Sequence, residues 1–294
     1  MDTIDGAVAP QPSIPHTRGT AKPDIALPPR ACDCHIHIYD RRFASIGDPG
    51  RVLAQATASD YRRLQARLGT RRTVVVTPTV YGTDNAVTLD AIRQLGRADA
   101  RGVAVLHPEV DDATLRLLDE GGVRGIRFTL FDPATAVTRF DMVAPLARRI
   151  EPLGWHVQLH WRADQIAAHA ELLDRLPCPI VFDHLARMPH PEGAAHPAFD
   201  VVRRLLDRGR TWVKLSAPYL DDVAGAEDSR ARVAAALCAH APERLVWGSD
   251  WPHPTEKTEK PDDAALLDRI LGWLGDASLR QRVLVDNPQA LYGF

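Results

Sequence analysis

From residue 31 onward the chain alternates two patterns. Short, continuously apolar, β-rich runs are followed by longer runs in which apolar positions recur every three or four residues. The first kind occurs eight times: Ala31–Ile38, Thr73–Thr79, Gly102–His107, Gly125–Leu130, His156–Trp161, Pro179–His184, Trp212–Ser216 and Leu245–Ser249. Continuous hydrophobicity, as in TVVV, GVAVL and PIVF, predicts parallel strands covered on both faces. The second kind predicts helices at Asp60–Leu68, Asn85–Leu95, Asp112–Glu120, Asp141–Leu153, Asp164–Leu176, Pro197–Arg208, Ser229–His240 and Pro261–Leu274. Small polar residues start several of these runs and glycines such as Gly69, Gly96 and Gly121 stop them, as helix punctuation requires. A last helix at Leu279–Val285 and a turn at Pro288–Tyr292 close the chain.

Eight βα units in roughly 265 residues predict an α/β fold of the (β/α)8 barrel type. The rival is an open, doubly wound sheet. That fold usually places a glycine-rich phosphate turn after its first strand, whereas here the first strand runs into HIHIYDRRF. Residues 1–30 hold six of the 23 prolines and little periodicity. They read as an extended arm ahead of a single barrel domain at 31–294.

Composition narrows the partners. Lys+Arg is 36 and Asp+Glu 38, a net charge of -2, which offers no broad positive field to nucleic acid or an anionic membrane. No apolar run approaches the ~18–20 residues that cross a bilayer. The N-terminal stretch has no apolar signal core, which predicts a cytoplasmic protein. Four cysteines in 294 residues are no disulfide framework. Cys32 and Cys34 lie two apart on one strand, and all four are expected to be reduced thiols.

In a (β/α)8 barrel the active site forms at the C-terminal ends of the strands. Strand 1 ends in His35 and His37, which share a face because they are two apart. Strand 5 ends in His160, strand 6 in Asp183-His184, and strand 8 in Asp250 within WGSDWPHP. A lone HxH is a weak signal, and each histidine alone reads as well as a hydrogen-bonded core residue. Their joint placement at one end of one barrel predicts an active site. Thr79 and Tyr81 follow strand 2, Tyr219 follows strand 7, and Arg127 lies on strand 4 between Ile126 and Phe128. A buried Arg127 needs an anion, from a protein carboxylate or from a substrate. Lys214, inside strand 7, is expected in a structural ion pair. His107, His156 and His253 are weaker candidates, His156 because it starts its strand at the wrong end.

These residues resemble the amidohydrolase superfamily. CDCHIHIYD, YGTDNAVTLDAI, GGVRGIRF, VFDHLAR, WGSDWPHP and DNPQALYGF, in this order over roughly residues 28–294, are similar to the 2-pyrone-4,6-dicarboxylate lactonase branch and its sugar-acid lactonase and lactone isomerase relatives. The resemblance implies that His35, His37 and His184 surround a lactone carbonyl and that Asp250 is the general base. It implies that Thr79 and Arg127 bind substrate; Tyr81, His160 and Tyr219 are further substrate-binding candidates from their places at the strand ends. The chain departs from the pattern at Pro133 and Tyr219, where the pyrone lactonase carries further arginines, and at His160, where it carries tyrosine. One retained arginine points to one carboxylate, as on an aldaric-acid lactone. CDCHIHIYD and DYRRLQARLG look closest to the D-galactarolactone isomerase group.

The expected chemistry is acyl transfer at a small-molecule lactone, giving hydrolysis with water as nucleophile or ring migration with a substrate hydroxyl. The resemblance implies catalysis without a metal cofactor. A single zinc, if held, would use His35, His37, His160 and Asp250. A metal-dependent decarboxylase of an aromatic acid would share the HxH, the strand-6 His and the strand-8 Asp, but not YGTDNAVTLDAI or GGVRGIRF. A non-catalytic binding barrel would leave gaps in the constellation, and none is seen.

Overall fold

The computed structural model describes residues 13–46, 55–220 and 226–294. Among them are the eight expected strands: β1 (Cys32–Ile36), β2 (Arg72–Val76), β3 (Ala100–Ala104), β4 (Val123–Thr129), β5 (His156–His160), β6 (Ile180–Phe182), β7 (Thr211–Ser216) and β8 (Leu245–Gly248). Each pairs in parallel with its successor, in the order β1 to β8. The ring closes beyond β8, where Ile36 bridges Trp251 in parallel. There the Asp250 N–H donates to His35 O, and the His37 N–H to Trp251 O, both at 2.8 Å. Helices α1 (Ala58–Leu68), α2 (Ala86–Leu95), α3 (Asp112–Glu120), α4 (Val143–Ile150), α5 (Ala163–Ala168), α6 (Ala170–Asp174), α7 (Pro197–Asp207), α8 (Ala226–His240) and α9 (Asp263–Leu274) connect the strands or follow the last one. Together they make a (β/α)8 barrel.

Local chemistry sets several boundaries. Thr57 caps α1 and accepts from the Asp60 N–H, while the Asp60 side chain returns a bond to the Thr57 N–H. The expected helix 164–176 is split at His169 into α5 and α6. The expected helix 141–153 is α-helical only over Val143–Ile150, with a 3-10 turn on each side. The final segment is α10 (Ala277–Gln281), a π-turn and α11 (Asn287–Tyr292), rather than one helix and a turn. Strand β2 ends at Val76, so Thr79 and Tyr81 stand on a 3-10 turn, Thr79–Tyr81, and not at a strand tip.

The arm's residues 1–12 lie outside the described part. Residues 13–30 lie along the barrel: Trp251 Nε1 donates to Pro15 O at 3.1 Å, and Ile14, Ile25 and Leu27 pack on the outer core. No helix is long and apolar enough to cross a membrane among the described residues.

The core has two parts. One lies between strands and helices, and a smaller one gathers Cys32, Cys34, Val74, Val76, Val103, Val181, Trp212, Val246 and Tyr292. Those strand positions alternate with the helix-packed ones, so the smaller cluster fills the inside of the barrel. Polar residues continue the interior above it.

Candidate active site

Two backbone irregularities decide which side chains enter the mouth. The β1–β2 register slips by one residue between Asp33 and Ile36. A bulge there lets adjacent residues face the same way. Asp33 therefore bonds outward, accepting from Tyr61 Oη at 3.0 Å, while Cys34 and then His35 both face inward. The second irregularity follows β6. His184, Leu185, Ala186 and Arg187 all hold positive φ, between 51° and 55°. This left-handed turn brings His184 into the mouth beside Asp183, where two adjacent strand residues would have faced apart. Ala217, Asp250 and His253, each after a strand, also have positive φ. Backbone strain of this kind gathers at sites that the surrounding fold over-determines.

The floor of the mouth is a buried charged hub. Asp183 Oδ2 accepts from Arg127 Nε at 2.9 Å and from Gln158 Nε2 at 3.1 Å. Its Oδ1 lies 3.2 Å from His35 Nδ1 and 3.5 Å from Lys214 Nζ. Lys214 also donates to Cys34 O at 2.9 Å and Gln158 Oε1 at 2.8 Å. Lys214 is in the ion pair expected of it, and Arg127 has a protein carboxylate as partner. Burial pushes the Asp183 carboxyl up, but His35, Arg127 and Lys214 outweigh it and hold it well below the usual range. A carboxylate flanked by a guanidinium and an ammonium stays ionised.

Above the hub the four residues expected to be catalytic meet. His35 Nε2 is 3.2 Å from His37 Nε2, and Asp250 Oδ1 lies 3.4 Å and 3.7 Å from these two nitrogens. The His35 and His184 ring centroids are 4.9 Å apart. His37 Nδ1 donates to Val76 O at 2.8 Å, and His184 Nδ1 bonds Ser216 Oγ at 2.9 Å. Burial holds all three imidazoles below their ordinary value, His37 at about 3, with Lys214 or Arg127 adding to the effect. They are neutral at pH 7. Burial raises the Asp250 carboxyl, and the bond from Tyr219 partly offsets this. A buried carboxylate with a raised pKa, beside neutral imidazoles, can take a proton from a bound nucleophile.

The remaining candidates separate. His160 stacks on Phe131, with centroids 5.4 Å apart, and its ring is 5.0 Å from His184. Its Nε2 accepts from Arg187 Nη1 at 3.1 Å, so this nitrogen is used by an arginine rather than turned to Asp250. Tyr219 Oη donates to Asp250 Oδ2 at 2.6 Å. The Tyr81 hydroxyl is engaged by the Asp40 backbone, accepting from its N–H at 2.9 Å and donating to its C=O at 3.2 Å. Among the described residues no hydrogen bond ties Thr79 to the four central side chains. His107 bonds Val137 O, away from them.

A cavity of about 520 Å³ runs outward from His184 between the segments after β4 to β7 and α8. Phe131, Arg187 and Arg230 line it, and Arg187 lies 4.0 Å over the Phe131 ring. Sequence reasoning missed Arg187, Gln158 and the hub role of Asp183. VFDHLAR held two of the three, but only the left-handed turn puts His184 and Arg187 on one cavity, with Asp183 buried beside them.

Among the described residues, two groups of donors could hold a metal ion: His35, His37 and Asp250, and His35, Asp183 and His184. In each, one donor atom per residue lies within 4.8 Å of the others. The first fits a single divalent ion by donor type, while His160 belongs to neither.

The amidohydrolase family profile matches residues 32–294. The chain is 33% identical to a 2-pyrone-4,6-dicarboxylate hydrolase of Comamonas testosteroni, covering 92% of this chain and 93% of the relative. It is 32% identical to a D-galactarolactone isomerase of Agrobacterium fabrum, covering 93% and 94%. A crystal structure from Agrobacterium tumefaciens superposes with a TM-score of 0.85 at 28% identity, covering 95% of this chain and 98% of that one.

Proposed function

The chain belongs to the amidohydrolase family, and on that premise we propose that it catalyses acyl transfer at the carbonyl of a carboxylated lactone of the aldaric-acid type. The observation that carries this reading is one buried carboxylate, Asp250, set 3.4 Å and 3.7 Å from two neutral imidazoles at the mouth of the barrel. As the nucleophile's oxygen attacks the carbonyl carbon, its proton passes to Asp250. The developing oxyanion is held by a ring N–H of His184 and by the Nε2 proton that His35 otherwise shares with His37, while His37 lines the cage without a proton of its own to give. Each such donor is worth on the order of 3 kcal/mol in a transition state. Asp250 then returns the proton to the departing ring oxygen.

Arg127, anchored through Nε on Asp183, and Arg187, held over Phe131, are the cations we assign to the substrate's carboxylate. His160 braces Arg187, and Thr79, on the turn after β2, remains a substrate-binding candidate. Tyr81 acts indirectly by fixing Asp40. If a divalent ion such as zinc is held by His35, His37 and Asp250, it supplies Lewis-acid polarisation of the carbonyl. We place the enzyme in the cytoplasm, in keeping with its four free thiols, as one barrel domain with an N-terminal arm.

Water and a substrate hydroxyl would use the same groups, so hydrolysis and ring migration differ only in what lies next to Asp250. A panel of aldaric, aldonic and pyrone lactones followed by NMR separates them, since ring opening and ring-size change give different carbon shifts. Turnover of an aldaric lactone is expected, and Asp250→Asn, folded by circular dichroism, should lose about 10²–10⁴-fold of it. Turnover of none of the panel, or carbon dioxide release from a hydroxybenzoate, would overturn the reading in favour of the decarboxylase.

A further inference from the structure

Asp250 has two oxygens with different neighbours. Oδ1 faces His35 and His37, and Oδ2 receives Tyr219. Behind Tyr219 the contacts continue inward. The Tyr219 hydroxyl is 3.0 Å from His253 Nδ1, and His253 Nε2 is 3.1 Å from Asp263 Oδ2. These residues come from three segments: the turn after β7, the turn after β8 and the first residue of α9. His253 is 0% exposed and Asp263 1%.

With both carboxylates ionised, the order of donors along this line follows from their chemistry. A carboxylate only accepts, so the single Tyr219 proton goes to Asp250 Oδ2. The Tyr219 oxygen must then accept from His253, which puts a proton on Nδ1. Asp263 also only accepts, so Nε2 faces it with a proton as well. Every link then has one direction, and the His253 ring cannot turn over without breaking both of its bonds. Carboxylate torsions are otherwise broad and nearly two-fold. A short bond to one oxygen fixes the carboxylate plane and so aims the other. The left-handed backbone at Asp250 (φ 64°) and His253 (φ 55°) is held by the same turn, in which the His253 N–H donates to Asp250 O at 2.8 Å. Nothing in the outer core calls for two buried polar side chains and a half-buried tyrosine here, since apolar groups of the same shape would pack without their desolvation cost.

We propose that Tyr219, His253 and Asp263 are positioning residues that lock the Asp250 carboxylate in the orientation proton transfer needs, and that Tyr219 is not a substrate contact. The proposal rests on the lactone reading for the identity of the reaction, but not for the existence of the lock.

Tyr219→Phe keeps the ring and deletes the hydroxyl. On whichever lactone the wild type turns over, kcat should fall about 10–100-fold, as for other outer partners of active-site groups, with KM within about 3-fold. His253→Gln should cost about 10-fold in the wild type and less than about 2-fold in the Tyr219→Phe background, because a chain acts as a unit. Asp263→Asn gives the same comparison if His253→Gln does not fold. A second arm needs no lactone: in ¹⁵N-histidine-labelled protein, the His253 Nδ1 signal should be moved by Tyr219→Phe and the Nε2 signal by Asp263→Asn. A raised KM at unchanged kcat in Tyr219→Phe would make it a substrate contact and overturn the proposal. So would effects that multiply in the double variant, or His253 signals indifferent to both substitutions. A wild type inactive on every lactone refutes the proposed function instead, and the labelled-protein arm still decides the lock.

Discussion

His35 and His37 show how one proton can stand where a cation might. Two ring nitrogens 3.2 Å apart cannot both present lone pairs without something between them. The His37 side is fixed, since its Nδ1 donates to Val76 O and its Nε2 therefore accepts. The His35 side depends on Nδ1. Lys214 Nζ lies 3.3 Å from it and can only donate. If it donates there, His35 carries its proton on Nε2 and gives it to His37, and the line Lys214, His35, His37, Val76 is complete without a metal. If Nδ1–H instead faces Asp183 Oδ1 at 3.2 Å, both Nε2 atoms present lone pairs, which a water molecule or a divalent ion held by His35, His37 and Asp250 would satisfy. The closer fit of Lys214 to hydrogen-bond geometry favours the first arrangement. The expected outcome is purified enzyme with well under one equivalent of metal and activity unchanged after chelation. Stoichiometric zinc, lost together with activity, would establish the second.

At the scale of elements, barrel closure rests on Gly248. A Cβ there would lie 2.5 Å from His35 Cβ and 2.9 Å from His35 N, so β8 and β1 approach as closely as they do only because this side chain is absent. Gly248→Ala must push His35 and the Asp250 turn apart. We expect a loss of about 1–3 kcal/mol, typical of overpacking, together with a fall in kcat, read by thermal melting and turnover. Gly272, exposed in α9 with nothing within 4 Å of its would-be Cβ, is the control. Gly272→Ala should gain about 0.4–1 kcal/mol and leave turnover alone. A Gly248→Ala enzyme as active and stable as the parent would remove this account of closure. Closure also marks what the sequence could and could not disclose. Apolar runs such as TVVV and PIVF revealed the strands, and strand ends revealed His35, His37, His184 and Asp250, because both depend on local period. The bulge in β1 and the left-handed turn at His184–Arg187 were hidden. Neither has a glycine to announce it, and each is stabilised by contacts far along the chain. The partnership of Tyr219, His253 and Asp263 was hidden for the same reason: Tyr219 and His253 are 34 positions apart, and only the adjacency of β7 and β8 joins them.

For the molecule as a whole, a polar barrel interior has a consequence for acid stability. His35, His37, His156, His160 and His184 are all held below their ordinary value by burial first, His37 and His156 at about 3. In the unfolded chain they protonate near pH 6.5. Between that value and their folded ones the unfolded state binds more protons, so their contribution is fully present above pH 6.5 and is lost as pH falls. Asp33, raised to about 6 by burial, and Asp250, also raised, act in the opposite sense. The folded state holds their protons longer, so their contribution fades as pH rises through the same region. Five imidazoles outnumber two carboxylates, and stability should decline as pH falls from about 6.5 toward 4, by about 1.4 kcal/mol per pH unit for each uncompensated proton. His156 isolates the effect. It sits at the N-terminal end of β5, its ring edge-on to Tyr292 with centroids 5.5 Å apart, at the opposite end of its strand from the catalytic mouth. His156→Phe keeps a ring in that place and removes one titrating group. Denaturant midpoints for the parent should fall between pH 7 and 5. In His156→Phe the fall should be shallower by about 1 kcal/mol per pH unit, with turnover at pH 7.5 unchanged. Equal slopes in the two proteins would mean that His156 is protonated in the folded state, and that the interior of the barrel tolerates charge away from the Asp183 hub.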